Sequence, residues 1–314
     1  MKTVFRICAA VGLAVGLAGG VGAQSVGIGT GVQSGTSGAI GAALAKVAAD
    51  HGGLNARAVP HTSNAQHIVL VNTGELAFGL NTIGDINAVL TGEREFAGRT
   101  FPEWRAVARI VPFTASVIVR DDAGIRTADD ATGKRAPSGF TAQQGLLASR
   151  KAMLDNLGID ETTLTSVPVP SSGASVEMFA AGDLDMIFSG LGGALLRRLE
   201  AETGGIRILS LRDTPEAIEA MQAAYPNTYL TQISGVPGAD EPTNVLVQDM
   251  YLMSSTHVDE DVVYSLVKAI AEHQADLAAA VPILNTMDVA MMSRPLEGLV
   301  FHPGAQRYFD EMGL

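Results

Sequence analysis

The stretch Val26–Asp50, VGIGTGVQSGTSGAIGAALAKVAAD, places the tightest limit on what this chain can become. An apolar strand (Val26–Ile28) passes through a loop of glycines and small hydroxyls (Gly29–Thr36) into an alanine-rich helix (Ser37–Ala49). Where a strand hands over to a helix, the free N–H groups of the helix start and glycine-freed backbone can surround a small polar or anionic group. The loop reads as the first wall of a ligand cleft. A tight turn needing glycine for backbone reasons alone is the competing reading, and it would win for an isolated loop.

The pattern returns, which favours the cleft. Leu54–Val59 reads as a strand, followed by His61-Thr62-Ser63-Asn64 and a helix to about Asn72; Leu76–Leu80 is a buried-type strand ending in Asn81-Thr82. Strand, polar loop and helix in repetition indicate a parallel sheet with helices on its faces, hence an α/β fold. Glu93–Glu103 reads as a surface connection, and Trp104–Phe113 and Ser116–Val119 as two strands with Trp104 in the core. Thr127-Ala128-Asp129-Asp130 opens a short helical turn that Gly133 ends.

A second strand–loop–helix unit then covers Lys134–Pro137, the loop Ser138-Gly139-Phe140-Thr141 and a helix from Ala142 to Leu157. Val167–Val169 leads to a helix closed by Gly182, and Leu184–Phe188 opens into Ser189-Gly190 and the helix Ala194–Glu202. Ile206–Leu211 is a strand and Tyr225–Pro242 reads as irregular; Val245–Met253 returns to the first half, and Ser255 or Thr256 caps a helix with an acidic first turn. The change of composition at Asp121-Asp122-Ala123-Gly124 divides the chain into a first lobe, 24–119 with 255–314, and a second, 120–254, hinged near Arg120 and Ser254. Polar loops at strand ends in both lobes line the crevice where open α/β sheets bind ligands.

Residues 1–23 carry Lys2 and Arg6, an apolar run from Ile7 to Ala18, and Val21-Gly22-Ala23, the three parts of a secretory signal with cleavage expected near Ala23/Gln24. The single cysteine, Cys8, leaves with that segment, so neither disulfide nor thiol is expected in the mature protein. The formal net charge of −12 becomes −14 once Lys2 and Arg6 are removed, and no cluster of basic residues offers a phosphate-binding face. Nucleic acid is excluded as a partner on that ground.

Catalysis finds little support. The six histidines show no HExxH-type spacing, no GxSxG elbow occurs, Gly133-Lys134 is followed by Arg135 instead of a P-loop hydroxyl, and Gly27-Ile28-Gly29-Thr30-Gly31 has valine where a dinucleotide fingerprint needs its third glycine. No catalytic residue, metal ligand or cofactor is expected. The candidate ligand-binding residues are Thr30, Gly31, Gln33, Ser34, Gly35, Thr36, Ser63, Asn64, Asn81, Ser138, Thr141 and Ser189. Ser, Thr and Asn are favoured as caps and turn residues in any case, so Thr30, Thr36, Ser138 and Thr141 stand out only because they fall in the two motif loops.

Particular segments resemble the TAXI family, the solute-binding proteins of tripartite ATP-independent periplasmic (TRAP) transporters. Gly29-Thr30-Gly31 with Gly35-Thr36 and Gly41 is similar to the family's opening motif, and Thr73–Gly79 to its sGeadlg segment. Asp130–Ala136 resembles DLxGKrV, Gly182–Phe188 resembles GxxDAff, and His302-Pro303-Gly304-Ala305-Gln306-Arg307-Tyr308 with Gly313 resembles the closing HPGAxrYyke-G. Ser37-Gly38-Ala39 stands where the family has Tyr-Tyr-Pro. The resemblance implies a two-lobed periplasmic-binding-protein type II fold that closes on a small organic solute, a carboxylate or amino acid, and delivers it to membrane-embedded TRAP subunits. An exported enzyme of the same fold and a ligand sensor for a membrane receptor are the alternatives. His302 and Arg307 are read as structural ties for the carboxyl-terminal segment.

Overall fold

The computed structural model describes residues 25–31, 33, 36–141 and 145–314; the expected signal segment lies outside them. In chain order the strands are β1 (Ser25–Thr30), β2 (Asn55–Pro60), β3 (Phe78–Thr82), β4 (Trp104–Arg120), β5 (Arg135–Gly139), β6 (Thr165–Val169), β7 (Met186–Gly190), β8 (Ile206–Ile208), β9 (Tyr229–Ile233) and β10 (Thr243–Ser255). The helices are α1 (Thr36–His51), α2 (Asn64–Asn72), α3 (Ile83–Thr91), α4 (Leu146–Leu157), α5 (Ser172–Ala181), α6 (Gly193–Thr203), α7 (Pro215–Ala224), α8 (Glu260–Glu272), α9 (Gln274–Ala280) and α10 (Pro303–Met312).

The main sheet runs β2-β1-β3-β10-β4-β7, with β8 also on β4 and β9 on β10. The expected parallel sheet exists only in β2-β1-β3 and in the separate β5-β6 pair. Among the described residues every strand-to-strand pairing of β4 or β10 is antiparallel, apart from one isolated parallel bridge from Ala106 to Phe301. The reason is the length of these two strands. The expected strands Trp104–Phe113 and Ser116–Val119 are one continuous β4 of 17 residues, and β10 lies along it from Leu246 to Ser255. One end of this ribbon belongs to β1–β3, the other to β7–β9, so the pair forms the crossing between two lobes. β4 is buried along its length except at Arg105, Arg120 and Pro112–Thr114, the last being where it passes from one lobe to the other.

Two further expectations are corrected. Tyr225–Pro242 contains β9, because Tyr229, Thr231 and Ile233 alternate along a strand whose flanking prolines, Pro226 and Pro237, fall outside it. Helix α8 is capped by Asp259, whose Oδ1 accepts from Asp261 N at 2.8 Å; Ser255 is the last residue of β10. Helix α7 has Thr214 as cap and Pro215 at its first position.

Three apolar clusters hold the layers together. One packs α1, α8 and α10 on the first lobe's sheet, and one packs α5 and α6 on the second. The third joins α3 of the first lobe, through Ile83, Ile86 and Val89, to α4 and α7 of the second, through Met153, Leu154 and Met221. Trp104 is buried in it, as expected. The carboxyl-terminal tie is also observed: His302 caps α10 by accepting from Gly304 N, its Nε2 lies 3.1 Å from Val258 O, and Arg307 pairs with Asp261 at 2.8 Å.

Helix α1 lies against the end of β1 because Gly41 has no side chain there. A Cβ would collide with the methyl of Thr30, which is fully buried and cannot swing aside. Gly41→Val is therefore expected to destabilise the protein by about 1–3 kcal/mol through overpacking. A urea midpoint unchanged from wild type would contradict this packing.

Candidate functional site

A cleft of about 640 Å³ opens over the crossing strands. Its floor is made by Phe113 of β4 and by Gln248 and Met250 of β10, side chains that share one face because Gln248 lies opposite Phe113 in the antiparallel register. The first lobe supplies three strand-to-helix junctions: Gly31, Thr36 and Ser37 from β1–α1, Thr62–Ala65 ahead of α2, and Thr82, Gly84 and Asp85 at the start of α3. The second lobe supplies Thr141, Gly145 and Leu146 before α4, and Tyr225 at the end of α7. Glu95 lies on the first-lobe side.

Each junction is held by its own hydrogen bonds. Gly31 N donates to Ser37 Oγ at 3.1 Å, and Ser63 Oγ caps α2 by accepting from Ala65 N at 3.2 Å. Asp85 Oδ2 accepts from Thr82 N at 3.1 Å and Thr82 Oγ1 at 3.0 Å, a capping box, and also from Asn64 Nδ2 at 2.8 Å. That last bond links two junctions into one rigid wall. Tyr225 Oη donates to Gln248 Oε1 at 2.8 Å and so ties the far wall to the floor. The N-terminus of α4 differs from those of α2 and α3 in having no side-chain cap, because Gly145 stands at that position.

Five of the twelve candidates meet in this cleft: Gly31, Thr36, Ser63, Asn64 and Thr141. Ser34 and Gly35 lie outside the described residues. Gln33 is exposed in a turn and is not part of the lining. Thr30 is fully buried, its hydroxyl donates to Gly31 O at 2.9 Å, and it faces α1 instead of the cleft. Ser138 is a β5 residue whose carbonyl accepts from Phe140 N, and Ser189 lies in β7 opposite Ser116; neither lines the cleft. Asp85, Phe113, Tyr225, Gln248 and Met250 were not foreseen.

Asn81 is also placed elsewhere. It is buried behind the first-lobe junctions with Nδ2 3.0 Å from Nε2 of His67, a residue with no exposed surface. Burial, with the neighbouring His61 imidazole second, pushes the His67 imidazole down to about 4, so it is neutral at physiological pH. Space for this ring comes from two strand glycines. A Cβ on Gly29 would stand 2.6 Å from His67 Cβ, and one on Gly79 would stand 2.8 Å from His67 Cδ2. Gly29, read from the sequence as part of a ligand loop, thus serves the core.

The fold is shared with solved solute-binding proteins. MatC from Rhodopseudomonas palustris, with bound malate, superposes with a TM-score of 0.56 at 14% identity, covering 92% of this chain and 96% of that one. A TctC solute-binding protein from Polaromonas gives 0.55 at 14% identity, covering 92% and 98%. A binding protein of a phosphonate ABC transporter from Pseudomonas aeruginosa gives 0.52 at 11% identity, covering 84% and 81%. These likenesses establish the two-lobed α/β architecture. The sequence itself is matched from 28 to 313, from the first strand almost to the last residue, and over that length the chain belongs to the NMT1-like family.

Proposed function

We propose that the protein is the periplasmic solute-binding subunit of a TAXI-type TRAP transporter, capturing a small carboxylate or amino acid between its lobes and delivering it to membrane-embedded subunits. One observation carries the reading: hydroxyls, amides and helix starts from both lobes converge over a floor made by the two crossing strands. The lining offers donors and acceptors that can orient a solute. The motif resemblance in Gly29–Thr36 and His302–Tyr308 supports the TAXI assignment. The bend belongs at the two register shifts between β10 and β4, at Met250/Tyr251 and Leu252/Met253, where Ile110 and Val107 are the extra residues of β4.

Thermal-shift screening of organic acids and amino acids tests the reading, because a ligand that binds only the folded state raises stability by RT ln(1 + [L]/Kd). With the solute found, Thr36→Ala in the first lobe and Thr141→Ala in the second are each expected to weaken binding roughly tenfold, the usual cost of a lost donor to a charged group. Small-angle scattering should show compaction with solute. Loss from one lobe only, with no compaction, would replace the cleft by a one-lobe site.

A further inference from the structure

Behind the crossing strands lies a second cavity of about 370 Å³. It cannot be an arm of the cleft. Gln248 and Met250 face the cleft, so the alternation of β10 turns Asp249 and Tyr251 to the opposite face, and Tyr251 lines the rear cavity. Its walls come from Gln222 and Pro226–Tyr229 on the second-lobe side and from Arg294–Glu297 in the carboxyl-terminal segment.

A charged group adjoins the cavity through Tyr229 and Arg294 of its lining. Arg109 and Asp249, 4% and 1% exposed, approach to 2.8 Å, and Tyr229 Oη donates to Asp249 Oδ1 at 3.1 Å. Arg109 Nη2 also donates to Tyr229 Oη at 3.2 Å, so the three side chains are linked through the tyrosine. Arg294 is the second guanidinium of the group and is differently placed. Its Cζ lies 4.1 Å over the Tyr229 ring, and its Nε stands 3.7 Å from Asp249 Oδ2, too far for a hydrogen bond. Among the described residues no protein acceptor takes a hydrogen bond from its N–H groups. Stacking uses the face of a guanidinium and leaves its edge, where the donors lie, open to an in-plane acceptor. Tyr251 Oη donates to Arg294 O at 3.1 Å and fixes the backbone from which the side chain starts.

We propose that this rear cavity is a second binding site, taking a small organic oxyanion, a carboxylate in the first instance, on the edge of Arg294. The planar fork matches a carboxylate bidentately. The volume is at the low end for small-molecule pockets, too roomy for a halide alone and suited to a short acid. The one opposing charge in the lining, Glu297, is exposed, where water and salt screen it, while the Arg109–Asp249–Arg294 group beside the cavity keeps one net positive charge, carried into the lining by the half-buried Arg294. One guanidinium edge balances one carboxylate, which commits the site to a monocarboxylate.

Nuclear magnetic resonance titration of the mature protein with lactate at constant ionic strength is the test. Saturable shifts are expected at the Asn227, Thr228 and Tyr229 amides and at Arg294 Nε. Arg294→Met should weaken this binding at least tenfold, whereas Thr36→Ala, which alters only the front cleft, should leave it intact. Arg294→Lys keeps the charge but not the fork, and is expected to weaken binding several-fold; it serves where the methionine variant does not fold. Shifts that rise linearly without saturating, or saturable shifts at these residues that persist in both Arg294 variants or vanish in Thr36→Ala, would overturn the assignment. Failure of the front cleft to bind any solute would leave this result untouched, so the two sites are tested separately.

Discussion

Asp249→Ala is expected to cost about 3–5 kcal/mol of folding stability, the range for removing one partner of a buried ion pair. The loss arises less from the pair itself than from what stays behind. Arg109, 4% exposed on β4, would keep its charge with no carboxylate in reach, and the Tyr229 hydroxyl would lose its acceptor. Arg294 could not substitute, being a cation itself. Because Asp249 and Arg109 sit on neighbouring strands of the interlobe crossing, the damage falls on the element that both lobes share. Asp249→Leu combined with Arg109→Met is expected to recover most of the stability, since apolar side chains of similar volume leave no buried charge. Equilibrium urea unfolding of the three proteins decides the matter. A single variant within 1 kcal/mol of wild type, or a double variant no better than the single, would show that water reaches this pair.

The fold was more legible in the sequence than the site, and the reason is range. Strand-to-helix units such as Val26–Asp50 write themselves into local periodicity and glycine placement, and the structure contains them. The passage of β4 through Thr114 without a break is not local information: Pro112 and Thr114 suggest an interruption, and the facing β10 on one side, with Leu191 N bonded to Thr114 O on the other, keeps the strand extended there. The same holds for the cleft floor, since Phe113, Gln248 and Tyr225 reach it through antiparallel pairing and a helix end far apart in sequence. One missed residue did carry a signal. Thr82-Ile83-Gly84-Asp85 is a capping-box spacing at the end of a buried strand, and reading it as a helix start would have put Asp85 beside Asn64. The hydroxyls read too generously, Thr30, Ser138 and Ser189, show the converse: residues at strand ends face the cleft or the core according to a one-residue change of register, which composition does not reveal.

The pH dependence of stability should carry the mark of His67. An unfolded chain binds a proton at this imidazole near pH 6.5, but the folded protein resists until about 4, because the ring is fully buried and close to His61. Between those values the unfolded state holds more protons, so stability must fall as pH falls; it is constant above about 6.5 and levels off again near 4. The shift converts to about 3 kcal/mol in total, most of it lost by pH 4.5. His302, which burial also shifts downward, adds a slope of the same sign, so the diagnostic quantity is a difference between two proteins. His67→Leu fills the space against Gly29 and Gly79 without a titrating group, and a second change, Asn81→Leu, removes the amide that would be left without its partner. Denaturant unfolding at intervals from pH 7.5 to 4.5 should show wild type losing about 2–3 kcal/mol more than the double variant. Parallel profiles would mean that His67 takes up its proton in the folded protein near pH 6.5, as in the unfolded chain. The junctions around Thr30 and Asn81 would then enclose a charge, and the wall of the cleft in front of them would have to be redrawn with water behind it.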